Sequence, residues 1–291
     1  MEPIFDHDSL LAKKRRALRI ADAGAGFLMK RAAGDLEDRL AAVERRFDHA
    51  ASLFSMTSDA SDAVSESGKA ETVGRVEADA ALLAQSAGEV APPETLPFEP
   101  ESLDLVVSLY ALQDMNDVPG ILVQIRRALR PDGLFLGCMA GAGTLGELRE
   151  ALLAAETELH GGASPRVSPF TDVRDAGALL QRAGFALPVA DLETVTVRYD
   201  SMFGLMRDLR AMGATNALAG RSRKPATRAL FMRAAEIYAD RFSDPDGRVR
   251  ATFSTIWLSG WAPHASQQKP LKPGSATVSL AKILGGEEKD G

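Results

Sequence analysis

The 291-residue chain predicts an α/β fold: a doubly wound, mostly parallel sheet with helical additions at its N-terminal and C-terminal sides. Three observations predict it. "LDLVVSLYAL" (103–112) and "LFLGCMA" (134–140) are apolar along almost their whole length rather than alternating, as strands covered on both faces are. "DVPGILVQIRRAL" (117–129), between them, has the spacing of an amphipathic helix. Strand and helix patterns alternate from about residue 50 to residue 140, which argues for βαβ units.

Residues 10–47 read as helix, broken near Gly24 and Gly26. Phe27, Leu28, Leu36, Leu40 and Val43 recur at roughly helical spacing with charges opposite. "HAASLFSM" (49–56) is a candidate buried strand, and the polar, small-residue run 57–71 reads as loop. "TVGRVEAD" (72–79) predicts a second strand, and "AALLAQ" starts a short helix. The proline-rich 91–102 cannot be a helix interior. "PDG" (131–133) predicts a turn into the strand at 134. "TLGELREALLAAETEL" (144–159) predicts a helix with Thr144 as cap and Glu147 closing a capping box.

A loop at 164–170, a helix at 173–185 ending at Gly184, and a pair of strands within 186–200 follow. The segments 201–213 and 225–242 read as helices and 248–263 as a last strand. The apolar face of Met202, Phe203, Leu205, Met206 and Leu209 reads as core packing, as do Phe253, Trp257 and Trp261. One domain over 1–266 is expected, with a helical extension (1–47), a helical insertion (201–246) and a loose tail (267–291).

The net charge of -6 argues against a nucleic-acid surface. The basic runs "KKRRALR" (13–19) and "RSRK" (221–224) are short and read as solvated helix faces. Cys138 is the single cysteine, so no intrachain disulfide is possible. No apolar run follows the first Met, Glu2, Asp6 and Asp8 weigh against a transit peptide, and no apolar stretch is long enough for a bilayer. A cytoplasmic protein without stable membrane insertion is the expectation. His7, His49, His160 and His264 show no ligand spacing, so no metal site is expected.

"ADAGAGF" (21–27) carries D-x-G-x-G, the pattern of a cofactor-binding glycine loop. Such a loop works only where a strand precedes it and a helix follows. "KKRRALRI" ahead of it is too charged for a buried strand, so the motif reads as a break between helices.

The block "LPFEPESLDLVVSLYALQDMNDVPGILVQIRRALRPDGLFLG" (96–137) resembles the second half of class I S-adenosylmethionine-dependent methyltransferases, which have a Rossmann-like fold. Ligands in such sheets sit at the carboxyl ends of the strands, at the switch point. "IFDHDSL" (4–10), "GTLGELREALLAAETELHGGASPRVSPF" (143–170), "DAGALLQRAGF" (175–185), "YDSMFGLMRDLRAMGATNAL" (199–218) and "GSATVSL" (274–280) narrow the resemblance. Together they look like the methyltransferase-like assembly factor 5 family of respiratory complex I (NADH:ubiquinone oxidoreductase), over roughly 4–55 and 73–280.

The resemblance implies S-adenosylmethionine as cofactor and action on a protein partner, including hydroxylation of an arginine on a complex I subunit. Carried over by position, the cofactor would meet Ser55, Thr57, Asp79, Ser108 and Leu109, with Glu77 the runner-up to Asp79. Tyr110, Gln113 and Asp114, after the fourth strand, are the candidate catalytic residues. One departure is serious. Where the family has a motif like "LDLGCGRG", this chain reads "ASLFSMTSD" (51–59), with no glycine for positive φ or close cofactor approach. Asp59 would also repel the methionine carboxylate, and Pro92 stands where an adenine-facing carboxylate is expected. Three functions follow: a methyltransferase acting on a protein, a pseudo-methyltransferase that binds one after losing the cofactor, and an arginine hydroxylase.

Overall fold

The computed structural model describes residues 2–84 and 86–267; the expected tail beyond Gln267, with "GSATVSL", lies outside the described residues. A seven-stranded sheet runs in the order β3-β2-β1-β4-β5-β7-β6. Its parallel part is β1 (Phe47–Leu53), β2 (Ala70–Glu77), β3 (Glu89–Val90), β4 (Leu103–Leu109) and β5 (Leu129–Ala140). The neighbouring parallel placement expected for 103–109 and 134–139 holds. β6 (Ala186–Tyr199) and β7 (Val249–Trp261) close the sheet antiparallel, β7 lying between β5 and β6. All seven residues of β4 are buried, which explains its unbroken apolar pattern.

Helices cover both faces. On one, α5 (Val118–Ala128) and α7 (Val173–Arg182) pack Ile121, Leu122, Ile125 and Leu180 against the sheet. Asp117 and Asp172 cap them through backbone amides. On the other face, α2 (Phe27–Ala41) and α3 (Asp59–Glu66) pack Leu36, Leu40, Ala60 and Val64. A third cluster joins α6 (Gly146–His160), α8 (Met202–Ala211) and α9 (Arg228–Phe242) to the start of β7. The short α4 (Ala80–Leu83) follows β2, and α1 (His7–Ile20) crosses the carboxyl ends of the strands, as its partners below define.

Four expectations need correction. Within the expected loop 57–71, Ala60, Ala63 and Val64 sit at helical spacing and bury one side of α3, an apolar stripe too small to stand out among the serines. "PDG" is no turn between elements, because β5 runs through it and Asp132 takes a φ of 65° where the pairing with β4 slips register. No capping box forms at α6: Thr144 Oγ1 donates to the Ser254 carbonyl (3.0 Å) and Glu147 accepts from the Thr252 amide (3.2 Å), so both side chains tie α6 to β7. The expected strand pair in 186–200 is the single edge strand β6.

Candidate functional site

Strand order reverses between β1 and β4, so the crevice beyond their carboxyl ends is where the sheet can offer a site. Three residues there have left-handed backbone: Phe54 (φ 53°) and Met56 (φ 64°) after β1, and Tyr110 (φ 50°) after β4. Such angles cost non-glycine residues about 1–3 kcal/mol each and cluster at functional sites. The loop after β1 has therefore kept the bend of a glycine loop without its glycines. The left-handed positions are Phe54 and Met56, which the glycine-less run 51–59 does not single out by its sequence.

Ser55, Ser108 and Leu109 do not face the crevice. They are buried, Ser55 Oγ accepting from the Leu109 amide (3.0 Å) and Ser108 Oγ donating to the Leu53 carbonyl (3.1 Å). These bonds stitch β1 to β4, a structural role. Thr57 does face the open space, and its hydroxyl donates to Asp59.

Beyond the strand ends lies a cavity of about 630 Å3, lined by Thr57, Tyr110, Gln113 and Asp114 at the sheet and by apolar side chains of α1, α6 and α8. The three candidate catalytic residues thus come together. The Tyr110 hydroxyl shares a hydrogen bond with Thr255 Oγ1 (2.7 Å), and burial pushes its pKa up, so it stays protonated. Gln113 donates to the Tyr110 carbonyl (2.7 Å) and accepts from the Ala140 amide (3.4 Å), which latches the β4 loop to β5. Burial raises the Asp114 carboxyl, with Lys14 Nζ at 3.5 Å pulling against it. Met206, Leu209 and Phe253, expected as core, also line this cavity. The break at "ADAGAGF" separates α1 from α2 and follows no strand, yet Asp22 and Gly26 stand in the cavity wall.

The acidic residues of the crevice are occupied by α1. Asp79 caps α4 through the Ala81 amide (2.8 Å) and pairs with Arg15. Glu94 pairs with His7 (3.0 Å), and Asn116 accepts from the amides of Ile4 (2.7 Å) and Phe5 (2.8 Å). The run 13–19 is thus only in part a solvated face: Lys14, 12% exposed, and Arg15 meet the crevice acids Asp114 and Asp79. "RSRK" likewise sends Arg221 to Asp6 (2.8 Å).

Glu77, not Asp79, is the acidic residue that ends β2. It is 1% exposed, pairs with Arg75 (3.3 Å) and accepts from the Met56 amide. Desolvation pushes its pKa up to about 7, against the pull of Lys14 and Arg75. An acid whose folded pKa is raised is most stabilising while protonated, so stability falls as pH rises from about 4.5 to about 7. At about 1.4 kcal/mol per unit the loss is on the order of 3 kcal/mol. Glu77→Gln should flatten this slope, measured as denaturation midpoints between about pH 5 and 8; parallel curves for the two proteins would refute it.

With α1 seated, the space beside Glu77 and Glu94 does not fit the adenosine of S-adenosylmethionine. The space left between α1, Glu77 and Glu94 is about 40 Å3, room for about three waters and far less than an adenosine. Among the described residues no three His, Cys, Asp or Glu side chains converge as a metal site. Sequence reasoning missed Glu94, Asn116 and the role of α1; basic residues before an acidic strand-end set were the available signal.

Comparison with known proteins shows what the chain is similar to. The model of the methyltransferase domain matches residues 54–137. The human protein named arginine-hydroxylase NDUFAF5, mitochondrial, is 45% identical over 190 residues, 65% of this chain and 55% of its own. A malonyl-[acyl-carrier protein] O-methyltransferase of Laribacter hongkongensis is 40% identical over 187 residues, covering 64% of this chain and 60% of that protein. The YcgJ protein of Bacillus subtilis superposes with a TM-score of 0.53 at 15% identity, covering 79% of this chain and 98% of that one. The chain therefore spans about half the length of the NDUFAF5 relatives it matches. It has the fold of the methyltransferase-like structures it superposes on and is similar in sequence to the NDUFAF5 proteins.

Proposed function

We propose that this relative of NDUFAF5 is a methyltransferase-like protein that acts on a protein partner in the assembly of respiratory complex I, and that it acts by binding. The observation that carries the binding reading is the seating of α1 in the crevice, with Lys14 on Asp114, Arg15 on Asp79 and His7 on Glu94. The groups a methyl donor would need are spent on the chain's own helix. The complex I link comes from the family resemblance, and the cytoplasm is the compartment proposed for it; no helix among the described residues is long and apolar enough to cross a membrane.

A second reading keeps the enzyme. It is favoured by Tyr110, Gln113 and Asp114 meeting at the mouth of a cavity large enough for a substrate group. Arginine hydroxylation is the activity for which the NDUFAF5 relatives are named, and it has the same cavity to work in.

Calorimetry separates the readings. Side chains at Phe54 and Met56, where a glycine loop lets the cofactor approach the backbone, and the Asp59 carboxylate weaken binding of the methyl donor. S-adenosylmethionine and S-adenosylhomocysteine should give no heat at micromolar concentration. A micromolar Kd for either would return the enzyme reading to first place.

A further inference from the structure

We infer that Ser9, Lys13 and Arg16 of α1, with Thr215, Arg221 and Arg223 of the loop beside it, form a binding site for a soluble phosphate monoester. The site uses none of the pairs that seat α1 on the crevice acids, so its failure would leave the partner-binding reading standing.

Two elements bring these residues together. Ser9, Lys13 and Arg16 lie four and three residues apart, on one face of α1. The loop is tied to the start of that helix through its backbone: the Asp6 amide donates to the Ala217 carbonyl (2.8 Å) and the Ala219 amide to the Ile4 carbonyl (2.8 Å). Arg221 and Arg223 then reach Asp6 at 2.8 and 3.6 Å. Arg16 Nη2 donates to Thr215 Oγ1 (3.1 Å), and Lys13 Nζ donates to Ser9 Oγ (2.5 Å).

The charges do not balance. Lys13 and Arg16 make hydroxyl contacts and form no ion pair among the described residues, and Asp6 is already shared by two guanidinium groups. Burial, and then the charges of Arg221 and Arg16, hold the Lys13 pKa below its ordinary value against the pull of Asp6. Arg16 Nε is buried without an acceptor, an arrangement that folding does not favour unless something else supplies one.

An anion relieves all three conditions, and the donors say which. Guanidinium, ammonium and hydroxyl groups on two elements suit a tetrahedral oxyanion, which accepts from several directions. A phosphate monoester carries about two charges near neutral pH and offers three acceptor oxygens, more than a carboxylate or a diester. Depth decides against a bilayer. Arg223 is 70% exposed at the rim, but the Arg221 side chain is 16% exposed, too deep for a flat plane of headgroups.

Calorimetry on the unmodified, full-length protein tests this with methyl phosphate and dimethyl phosphate, at about pH 8 and fixed ionic strength. The monoester should bind at least tenfold more tightly than the diester. Arg16→Gln and, separately, Lys13→Gln should each weaken methyl phosphate at least tenfold. Arg127→Gln, at an exposed position of α5, should leave it within twofold. Equal affinity for the two esters, or an equal loss in Arg127→Gln, would reduce the cluster to diffuse screening and overturn the inference. So would Arg16-dependent binding to phosphatidylglycerol vesicles with no binding of methyl phosphate, which would assign the cluster to a membrane surface. Should a variant fail to fold, the ratio of the two esters on the unmodified protein still decides.

Discussion

Glu156→Ala should lower the stability of the fold by about 3 kcal/mol, the lower end of what breaking a buried ion pair costs. Glu156 is 7% exposed and holds four donors: the Ser164 amide (3.1 Å) and hydroxyl (3.0 Å), and Nε (3.0 Å) and Nη2 (2.7 Å) of Arg166. Deleting the carboxylate leaves a partly buried guanidinium and an amide without acceptors. The loop they belong to, from the end of α6 to α7, supplies Arg166, Val167, Ser168 and Phe170 to the cavity wall. At about 2–4 °C per kcal/mol for a domain of this size, the thermal midpoint should fall by about 6–12 °C. Hydrogen exchange should rise first in 161–170. Glu156→Gln, which keeps an acceptor, should lose less. The pair with Arg166 holds the Glu156 carboxyl below its ordinary range, so this stability is complete above the unfolded pKa and fades as pH falls through it. A midpoint unmoved in Glu156→Ala would show that the loop holds without its clamp.

That pair also explains part of what was legible in the sequence. The segment "ELREALLAAETELHGGASPRVSPF" carried part of the resemblance, and its Glu156 and Arg166 prove to be the two ends of the clamp. The parallel strands were legible because burial on both faces writes an unbroken apolar run, as in Leu103–Leu109. α3 was not, because its buried stripe is only Ala, Ala and Val, small residues set in a run rich in serine that reads as loop. The cavity residues Tyr110, Gln113 and Asp114 followed from the rule that strand ends carry the site. Glu77 lost to Asp79 because position alone could not say which acid ends the strand and which caps the next helix. The partners of α1 were beyond reach. A cation's spacing along one helix says nothing about which distant carboxylate it meets.

The helix itself gives the other large effect. Lys14→Glu with Arg15→Glu should release α1 from the crevice, with a stability loss of about 3–5 kcal/mol. Nearly all of it comes from Lys14, whose side chain is 12% exposed and whose ammonium faces Asp114 while acting on Glu77. Reversal puts a third carboxylate beside two that burial already opposes. Arg15 is 51% exposed, so its pair with Asp79 adds little. Hydrogen exchange in His7–Ile20 should then approach that of a frayed end while β4 and β5 stay protected. The same variant separates the two obstacles to a methyl donor. If only the helix stands in the way, S-adenosylmethionine should bind once α1 is released. The loop argues otherwise: Phe54 and Met56 keep their side chains at left-handed positions, and Asp59 keeps its charge. Binding should therefore remain beyond micromolar in the released variant, and should improve only when Met56→Gly is added. Micromolar binding by the charge-reversed protein alone would make α1 a gate on a working site, and the binding-module reading would fall with it.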